Sequence, residues 1–251
     1  MADKIRNVTL GGQSLTLVGH ESILLIDLLA DGVWEPHLFS IFKRFLRPDR
    51  SYVDVGAFIG TSVMYGAQLA RHCYAIEPNP LTYRYLIENT QNNIEIRDKV
   101  TRFEGCISDR TGLIRLGAPV KPYGSAASIL KPDSPVSWLV TAVTFEEFLH
   151  FFGASDVSFI KMDIEGAESV VIPQMAEYLK RERPTILLSI HAFDFVDVPS
   201  SLELIIDSLD HYKYIYLRDG TVADRDELRK GVGMETHTSR CSDLVASDEQ
   251  W

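Results

Sequence analysis

The feature that most constrains the fold is an apolar run that ends in a glycine-containing turn and leads into a helical pattern. The run Val53-Asp54-Val55 has the composition of a buried strand, and Gly56 and Gly60 follow it before the helical pattern begins at Thr61. Glycine lets the backbone approach a ligand closely at the carboxyl edge of a strand, where open α/β sheets bind their ligands. The segment therefore predicts a parallel sheet with a ligand site at this turn.

Short apolar runs alternate with helical patterns over most of the chain. Strands are predicted near 52–55, 73–77, 101–107, 157–163, 185–190, 213–217 and 243–247. Helices are predicted near 60–70, 80–93, 144–152, 166–181 and 199–210. Repeated strand–helix units of this kind build a largely parallel sheet. We therefore predict an α/β fold, Rossmann-like and doubly wound, around a mostly parallel seven-stranded sheet.

The length of 251 residues suits one domain, since single hydrophobic cores stop growing at roughly 250–300 residues. We expect a single folding unit, in which residues 1–48 form a leader packed on the core and residues 49–251 form the main domain. Alternating runs on either side of Gly11-Gly12 predict a hairpin in the leader, and the apolar spacing over 37–47 predicts a helix. The proline-rich segment 117–138 is predicted to be a loop or lid.

The charge and the cysteines limit the partners and the compartment. Lys and Arg total 25 against 35 Asp and Glu, and the net charge of −10 disfavours a nucleic-acid partner because it repels phosphate. Three widely spaced cysteines fit neither a disulfide framework nor a zinc site and are interpreted as buried thiols. The sequence shows no signal peptide and no apolar run of the ~18 residues that cross a membrane. We therefore expect a cytoplasmic protein with no nucleic-acid or membrane partner.

A second predicted strand ends in an acidic residue, within Glu77-Pro78-Asn79-Pro80. At that place a carboxylate can reach the ribose hydroxyls of an adenine nucleoside. A nicotinamide-dinucleotide enzyme would share this feature, but its fingerprint requires glycine at the positions of Phe58 and Thr61. Asp54 instead offers a carboxylate that can hold the amino-acid end of a cofactor. The turn therefore favours an adenosyl cofactor with an amino-acid part over a dinucleotide.

Four segments together carry a resemblance to a known family. They are Asp54–Gly60, Glu77–Pro80, Gly105–Asp109 followed by Gly112, and Phe159–Glu168. The last segment, which includes Lys161-Met162-Asp163-Ile164-Glu165-Gly166, is the most characteristic. On these segments, and over roughly residues 30–195, the chain resembles the FkbM family of S-adenosylmethionine-dependent methyltransferases.

The resemblance implies the class I methyltransferase fold and S-adenosyl-L-methionine as the cofactor. It places Gly56 near the cofactor, Glu77 on its ribose, Cys106-Ile107-Ser108 beside its adenine, and Glu35 close to it from the leader. The chain departs from the family at Phe58, where a small polar residue or Asn is usual. The predicted cofactor-binding residues are Glu35, Asp54, Gly56, Ala57, Gly60, Thr61, Glu77, Pro78, Asn79, Cys106, Ile107, Ser108 and Asp163.

Methyl transfer to a hydroxyl requires an aligned nucleophile and a group that takes its proton. Asp163 ends the fourth main strand and is the first candidate for holding the acceptor or acting as a base. Lys161 lies on the same face of that strand by the two-residue period, and His191 ends the next strand, where it suits proton transfer. Glu165 completes the catalytic candidates, and if it begins the following helix it shares a face with Glu168.

Each catalytic candidate also has a structural interpretation. Lys161 would then form a salt bridge, Glu165 and Glu168 would stabilise a helix terminus, and His191 would lie at the edge of the core. The acids and the histidine could bind a divalent ion such as magnesium, but their spacing does not define a metal site, so none is predicted. The other histidines belong to no such cluster and are interpreted as structural or surface residues.

The sequence thus favours an O-methyltransferase that acts on a hydroxyl of a sugar or a small secondary metabolite. The alternatives are an N-methyltransferase of the same fold, a non-catalytic nucleotide-binding or regulatory protein, and an NAD-dependent enzyme. Acceptor pockets are built from variable loops. The sequence therefore leaves the identity of the small-molecule or saccharide acceptor open, together with the oligomeric state.

Overall fold

The computed structural model describes residues 3–10, 12–20, 25–31, 35–119, 122–232, 234 and 242–251. Residues 32–34, which precede the predicted cofactor residue Glu35, and the third cysteine, Cys241, lie outside the described residues. Within the described ranges, no helix has the length and apolar character needed to cross a membrane. Cys73 and Cys106 are buried free thiols, which confirms the interpretation of these two cysteines.

The described part of the chain contains twelve strands and eight α-helices. The strands are β1 (Asp3–Leu10), β2 (Gln13–His20), β3 (Ser51–Val55), β4 (His72–Glu77), β5 (Val100–Glu104), β6 (Cys106–Ile107), β7 (Gly112–Ala118), β8 (Val136–Val143), β9 (Val157–Met162), β10 (Thr185–Ile190), β11 (Tyr214–Leu217) and β12 (Ser242–Ser247). The helices are α1 (Leu25–Ala30), α2 (Pro36–Phe45), α3 (Thr61–Leu69), α4 (Pro80–Asn92), α5 (Phe145–Phe152), α6 (Glu168–Glu182), α7 (Val198–Leu209) and α8 (Arg225–Arg229).

The central sheet has seven strands in the order β11-β12-β10-β9-β3-β4-β5. The strands from β10 to β5 are parallel to their neighbours, and β12 is antiparallel to both β10 and β11. All five residues of β3 are buried, as expected of a parallel strand covered on both faces. The prediction of a mostly parallel seven-stranded α/β sheet is therefore confirmed.

The register of the three middle strands brings the site together. Val55 at the end of β3 pairs with Ile76 on one side and with Met162 on the other. The residues that follow these three therefore lie at one edge of the sheet: Gly56, Glu77 and Asp163. The chain continues from β3 to β4 and β5 on one side and later adds β9 and β10 on the other. Ligands bind at such a switch point in open α/β folds.

A smaller sheet of β6, β8 and β7 corrects two sequence predictions. The strand predicted over 101–107 breaks at Gly105, where an added Cβ would lie 2.7 Å from the backbone oxygen of Thr141. The predicted loop 117–138 is confirmed only in its middle, because its ends belong to β7 and β8. Apolar residues of both strands are exposed, Leu113 in β7 and Leu139 in β8, so the apolar positions do not mark one buried face as they do in a regular half-buried strand.

The predicted leader hairpin is confirmed, with Leu10 opposite Gln13 in an antiparallel pair. Its inner side chains and those of α2 join the same apolar cluster as Tyr52 and Phe159 of the central sheet. Asn89 of α4 and Asn93, the residue that follows this helix, bind the second strand of the hairpin, β2. The Asn89 amide accepts from the Val18 N–H at 2.6 Å and donates to the Val18 carbonyl at 3.0 Å.

Candidate active site

A cavity of about 680 Å³ opens at the carboxyl edge of β3, β4, β9 and β10. This volume lies within the range of roughly 300–1,000 Å³ that is usual for small-molecule sites. Twelve of the predicted site residues line it: Glu35, Gly56, Ala57, Thr61, Glu77, Pro78, Cys106, Ile107, Lys161, Asp163, Glu165 and His191. The structure therefore brings the predicted cofactor and catalytic residues to one place.

The turn after β3 requires glycine for two separate reasons. Gly56 has a φ of +84°, and a Cβ added there would lie 1.8 Å from the backbone oxygen of Asp163. The N–H groups of Gly56 and Ala57 both donate to the carbonyl of Ile76, at 3.0 and 2.9 Å. The turn is thus locked between the ends of β4 and β9, and it presents its backbone to the cavity.

Glu77 is held rigidly at the end of β4. Its carboxylate accepts hydrogen bonds from the Phe58 N–H at 2.8 Å, the Asn79 N–H at 2.9 Å and the Thr82 hydroxyl at 2.9 Å. Burial raises the pKa of Glu77 to about 7, although these donors favour the charged form. Phe58, which departs from the family pattern, adopts a φ of 53° and takes part in this network through its backbone.

Asp54 does not line the cavity, and its role at the amino-acid end of the cofactor stays a prediction. Its side chain is fully buried because it lies opposite Lys161 on the neighbouring strand β9. The Lys161 ammonium lies 3.2 Å from one Asp54 oxygen and 3.4 Å from the carbonyl of Gly56. Burial raises the pKa of Asp54, and the charge of Lys161 opposes that rise. Lys161, and not Asp54, is the member of this pair that lines the cavity.

Lys161 and His191 both face Asp163 across the floor of the cavity. The Lys161 ammonium is 3.7 Å from one Asp163 oxygen, and His191 Nε2 is 3.6 Å from the other. Burial disfavours both cations. The surrounding carboxylates outweigh it, so they raise the pKa of Lys161 and raise that of His191 to about 10. The Asp163 side chain is 30% exposed and is therefore the acid that the floor presents to a ligand.

Glu168 corrects the expectation that it shares a helix face with Glu165. The helix α6 begins only at Glu168, and Glu165 lies in the preceding turn with a left-handed φ of 54°. The fully buried Glu168 carboxylate accepts from the N–H groups of Ile164 and Gly166, each at 3.0 Å. It also lies 3.1 Å from His191 Nδ1. Glu168 therefore fixes the turn and the imidazole from behind the cavity.

Glu165 and His191 form a compact group with Asp163. Each of the three offers one ligand-type atom, and these atoms lie within 4.8 Å of one another. Glu165 Oε2 is 3.8 Å from His191 Nε2, and burial raises the pKa of Glu165 to about 7. Glu35 faces the same floor from the leader, and burial raises its pKa to about 7 as well.

Three predicted cofactor residues support the site without lining the cavity. Gly60 precedes α3 with a φ of +93°. Ser108 is fully buried, and its N–H donates to the Val143 carbonyl at 3.0 Å. Asn79 caps α4 by accepting from the Leu81 N–H at 3.0 Å. These residues shape the turns around the cavity. Their position at strand ends could not show whether they line the cavity or only support it.

The wall of the cavity also includes residues of the segment that was predicted to be a loop or lid. Tyr123 of the predicted lid lies in the cavity wall and stacks on His20 of the hairpin with ring centroids 4.0 Å apart. Lys131 of the same segment forms an ion pair of 2.6 Å with Asp194. Asn79 donates to the Pro122 carbonyl at 2.8 Å. Because these partners lie far apart in sequence, no local pattern could have indicated them.

His37 also lines the cavity, which corrects its interpretation as a structural or surface residue. Its Nε2 lies 2.9 Å from an oxygen of Asp243, and Asp243 accepts from the Ser189 hydroxyl at 2.7 Å. The residues of this pair come from α2 and β12, at opposite ends of the sequence. Only the fold brings them together.

Comparisons with known proteins agree with this geometry. Residues 54–216 match the methyltransferase FkbM domain. The chain is similar to the FkbM methyltransferase from Methylobacillus flagellatus KT, with 16% identity and a TM-score of 0.51 over 90% of this chain and 55% of that one. It thus spans about half the length of that relative. No curated protein sequence matches the chain.

Two further solved structures are similar to the chain at lower scores. One is precorrin-6y C5,15-methyltransferase from Geobacter metallireducens GS-15, with 13% identity and a TM-score of 0.47 over 86% of this chain and 88% of that one. The other is Aeropyrum pernix fibrillarin with bound S-adenosyl-L-methionine, with 13% identity and a TM-score of 0.47 over 96% and 82%. Structural similarity at such identities concerns the fold, whereas the domain match covers well over half of the chain. This chain therefore belongs to the FkbM family of S-adenosylmethionine-dependent methyltransferases.

Proposed function

We propose that the protein transfers a methyl group from S-adenosylmethionine to a hydroxyl oxygen of a sugar or another small acceptor. When bound, the cofactor supplies a methyl group on a sulfonium, which an oxygen nucleophile takes as the carbon–sulfur bond breaks and its electron pair stays on sulfur. One observation carries the proposal. The partly exposed Asp163 carboxylate lies between two cations at the carboxyl edge of the sheet, beside the Gly56 turn.

The residues around the turn fit the cofactor in shape and chemistry. Glu77 offers an immobilised carboxylate at the cavity wall, suited to accept hydrogen bonds from two ribose hydroxyls. Pro78, Cys106 and Ile107 supply an adjacent wall of mainly apolar side chains for an adenine. The absence of a side chain at Gly56 lets the turn pack directly against the end of β9, where a Cβ would lie 1.8 Å from the backbone oxygen of Asp163.

Asp163 is the residue proposed to hold the acceptor hydroxyl and to take its proton. A carboxylate that accepts the hydroxyl's hydrogen bond both aligns the oxygen and removes its proton as the new bond forms. Lys161 and His191 face the same point, so they stabilise the negative charge that develops on the acceptor oxygen. The lid residues Tyr123 and Lys131 line the same cavity.

The test measures transfer of a labelled methyl group from S-adenosylmethionine to a panel of saccharides and small hydroxylated acceptors. We expect Asp163→Asn to lower the rate by about 10²–10⁴, the usual contribution of a general base. Affinity for S-adenosylhomocysteine is measured on the same variant, and a loss of turnover larger than any loss of this affinity would assign Asp163 to proton removal beyond its predicted place among the cofactor-binding residues. Transfer that survives in the variant would remove Asp163 from the mechanism.

The panel also includes acceptors whose only nucleophile is an amine. Transfer restricted to these acceptors would replace O-methylation with N-methylation. Cofactor binding without any product would instead favour a non-catalytic, nucleotide-binding protein.

A further inference from the structure

We propose that Asp163, Glu165 and His191 together bind one divalent transition-metal ion at the floor of the cavity. The inference deepens the proposed function, on which it rests for the role of the ion, namely to hold the acceptor oxygen. The site consists of two carboxylates and one imidazole, all lining the same cavity. Their ligand-type atoms converge to within 4.8 Å of one another.

The distances between the three donor atoms are close to those between the ligands of one metal ion. Donors bonded at about 2.1 Å to an octahedral ion lie roughly 3 Å apart when adjacent and about 4.2 Å apart when opposite. His191 Nε2 lies 3.6 Å from the nearer Asp163 oxygen and 3.8 Å from Glu165 Oε2. Small side-chain rotations therefore close the three atoms onto one centre.

The orientation of His191 is the second, independent observation. Its side chain is more than nine-tenths buried, and Nδ1 lies 3.1 Å from Glu168, which fixes the ring. Among the described residues, none comes within hydrogen-bond distance of Nε2, which is aimed at the two carboxylates. A proton on Nε2 would need an oxygen at roughly 2.7–3.2 Å to be shared in a hydrogen bond. An ion between the three groups spans these longer gaps.

Glu168 is placed like the carboxylates that orient histidine ligands in metal sites. Metal-binding histidines usually donate their second N–H to a carboxylate or carbonyl, which sets the ring orientation. The Glu168 oxygens are used by the Ile164 and Gly166 N–H groups and by His191. Glu168 is therefore a positioning residue, and the left-handed backbone that it secures at Glu165 turns that side chain toward the cavity.

The donor set selects the class of ion. Imidazole favours first-row transition metals, whereas magnesium and calcium favour sites built from oxygen alone. Metal binding displaces the proton from His191 Nε2, so that two carboxylates with one neutral imidazole then balance the double positive charge. Three protein ligands leave coordination positions open toward the cavity, where a hydroxyl oxygen of the acceptor would bind.

The test is titration of the chelator-treated full chain with Mn²⁺, followed by the loss of the electron paramagnetic resonance signal of free Mn²⁺. Neither cofactor nor acceptor is present, so a failure here leaves the methyl-transfer proposal standing. Intact Mn²⁺ binding without methyl transfer to any acceptor would instead contradict the methyl-transfer proposal and leave the metal site standing. We expect one Mn²⁺ per chain and at least a tenfold lower affinity in Glu165→Gln and in Asp163→Asn.

A matched control is Glu203→Gln, because Glu203 is an exposed acid on α7, outside the cavity. It should bind Mn²⁺ like the unmodified chain, and thermal unfolding verifies that each variant is folded. The absence of stoichiometric binding, or equal binding in Glu165→Gln, would overturn the site. Displacement of Mn²⁺ by an equal concentration of Mg²⁺ would overturn the assignment to a transition metal.

Discussion

The junction between the hairpin and α4 and the floor of the cavity both bury polar side chains, but in different chemical states. At the junction, the neutral amides of Asn89 and Asn93 each bond to a backbone N–H and carbonyl of β2, at distances of 2.6 to 3.0 Å. Both partners of each of these hydrogen bonds are neutral and satisfied. The junction therefore has the structural role of holding the hairpin on α4.

The floor of the cavity instead collects charges and strained backbone. Three of the four non-glycine residues with positive φ in the described part of the chain line the cavity: Glu35, Phe58 and Glu165. Burial raises the pKa of Glu35, Glu77 and Glu165 to about 7. Strain and perturbed pKa values persist where function requires them. The comparison therefore distinguishes polar groups kept for folding from those kept for chemistry.

The largest effect is expected from removing a charge beneath the floor. Lys161→Met would leave Asp54 buried without its cation, which costs about 3–5 kcal/mol for pairs of this kind. Asp54→Asn in the same chain should recover much of that free energy of unfolding. The control is Arg181→Met, since Arg181 is 55% exposed and surface ion pairs contribute about 0–1 kcal/mol. If Lys161→Met and Arg181→Met lost equal free energies of unfolding in urea, the buried pair would be no more important than a surface ion pair.

The next effect concerns the turn that joins the floor to the cofactor wall. Gly56→Ala places a methyl group 1.8 Å from the Asp163 carbonyl, so the strands must move apart. Left-handed strain of about 1–2 kcal/mol and overpacking of about 1–3 kcal/mol both apply. In Gly12→Ala, where φ is +92° but nothing lies within 4 Å, only the strain applies. Calorimetric unfolding compares the two variants, and a similar loss in both would argue against the close contact.

A smaller effect should follow from breaking the junction itself. Asn89→Ala frees the Val18 N–H and carbonyl and the Ile59 carbonyl, to which Asn89 donates at 2.7 Å. Each unsatisfied buried group costs about 1–3 kcal/mol, reduced where water enters, and we expect a net loss of about 2 kcal/mol. Affinity for S-adenosylhomocysteine should change little, in contrast to the floor variants. Gln91→Ala, an exposed change on the same helix, is the control for helix stability.

The smallest expected effect is a pH dependence of cofactor binding. Because burial raises the pKa of Glu77 to about 7, the carboxylate is mostly ionised at pH 8 and mostly protonated at pH 6. The ionised form accepts the ribose hydroxyls, so affinity for S-adenosylhomocysteine should fall about tenfold from pH 8 to pH 6. Titration calorimetry measures this change. In Glu77→Gln the dependence should disappear, and its persistence would assign it to Glu35 or Glu165 instead.

Local patterns were sufficient for the sheet and for the residues at its edge. Alternating strand and helix periods predicted the seven strands, and the residues after β3, β4, β9 and β10 were predicted as site residues from their strand-end placement. Such patterns need only the near neighbours of each residue. They failed for β7 and β8, where exposed apolar residues such as Leu113 and Leu139 obscure the alternation of buried and exposed positions.

The sequence by itself determined the α/β fold, the glycine turn, the acid at the end of β4 and the membership of a methyltransferase family. The tertiary structure alone decided that Asp54 pairs with Lys161, that Glu168 supports His191, and that Asp163, Glu165 and His191 converge. The physical reason is that strand and helix periods are local, whereas these contacts depend on strand register and on the left-handed turn at Glu165. Packing between distant segments sets both.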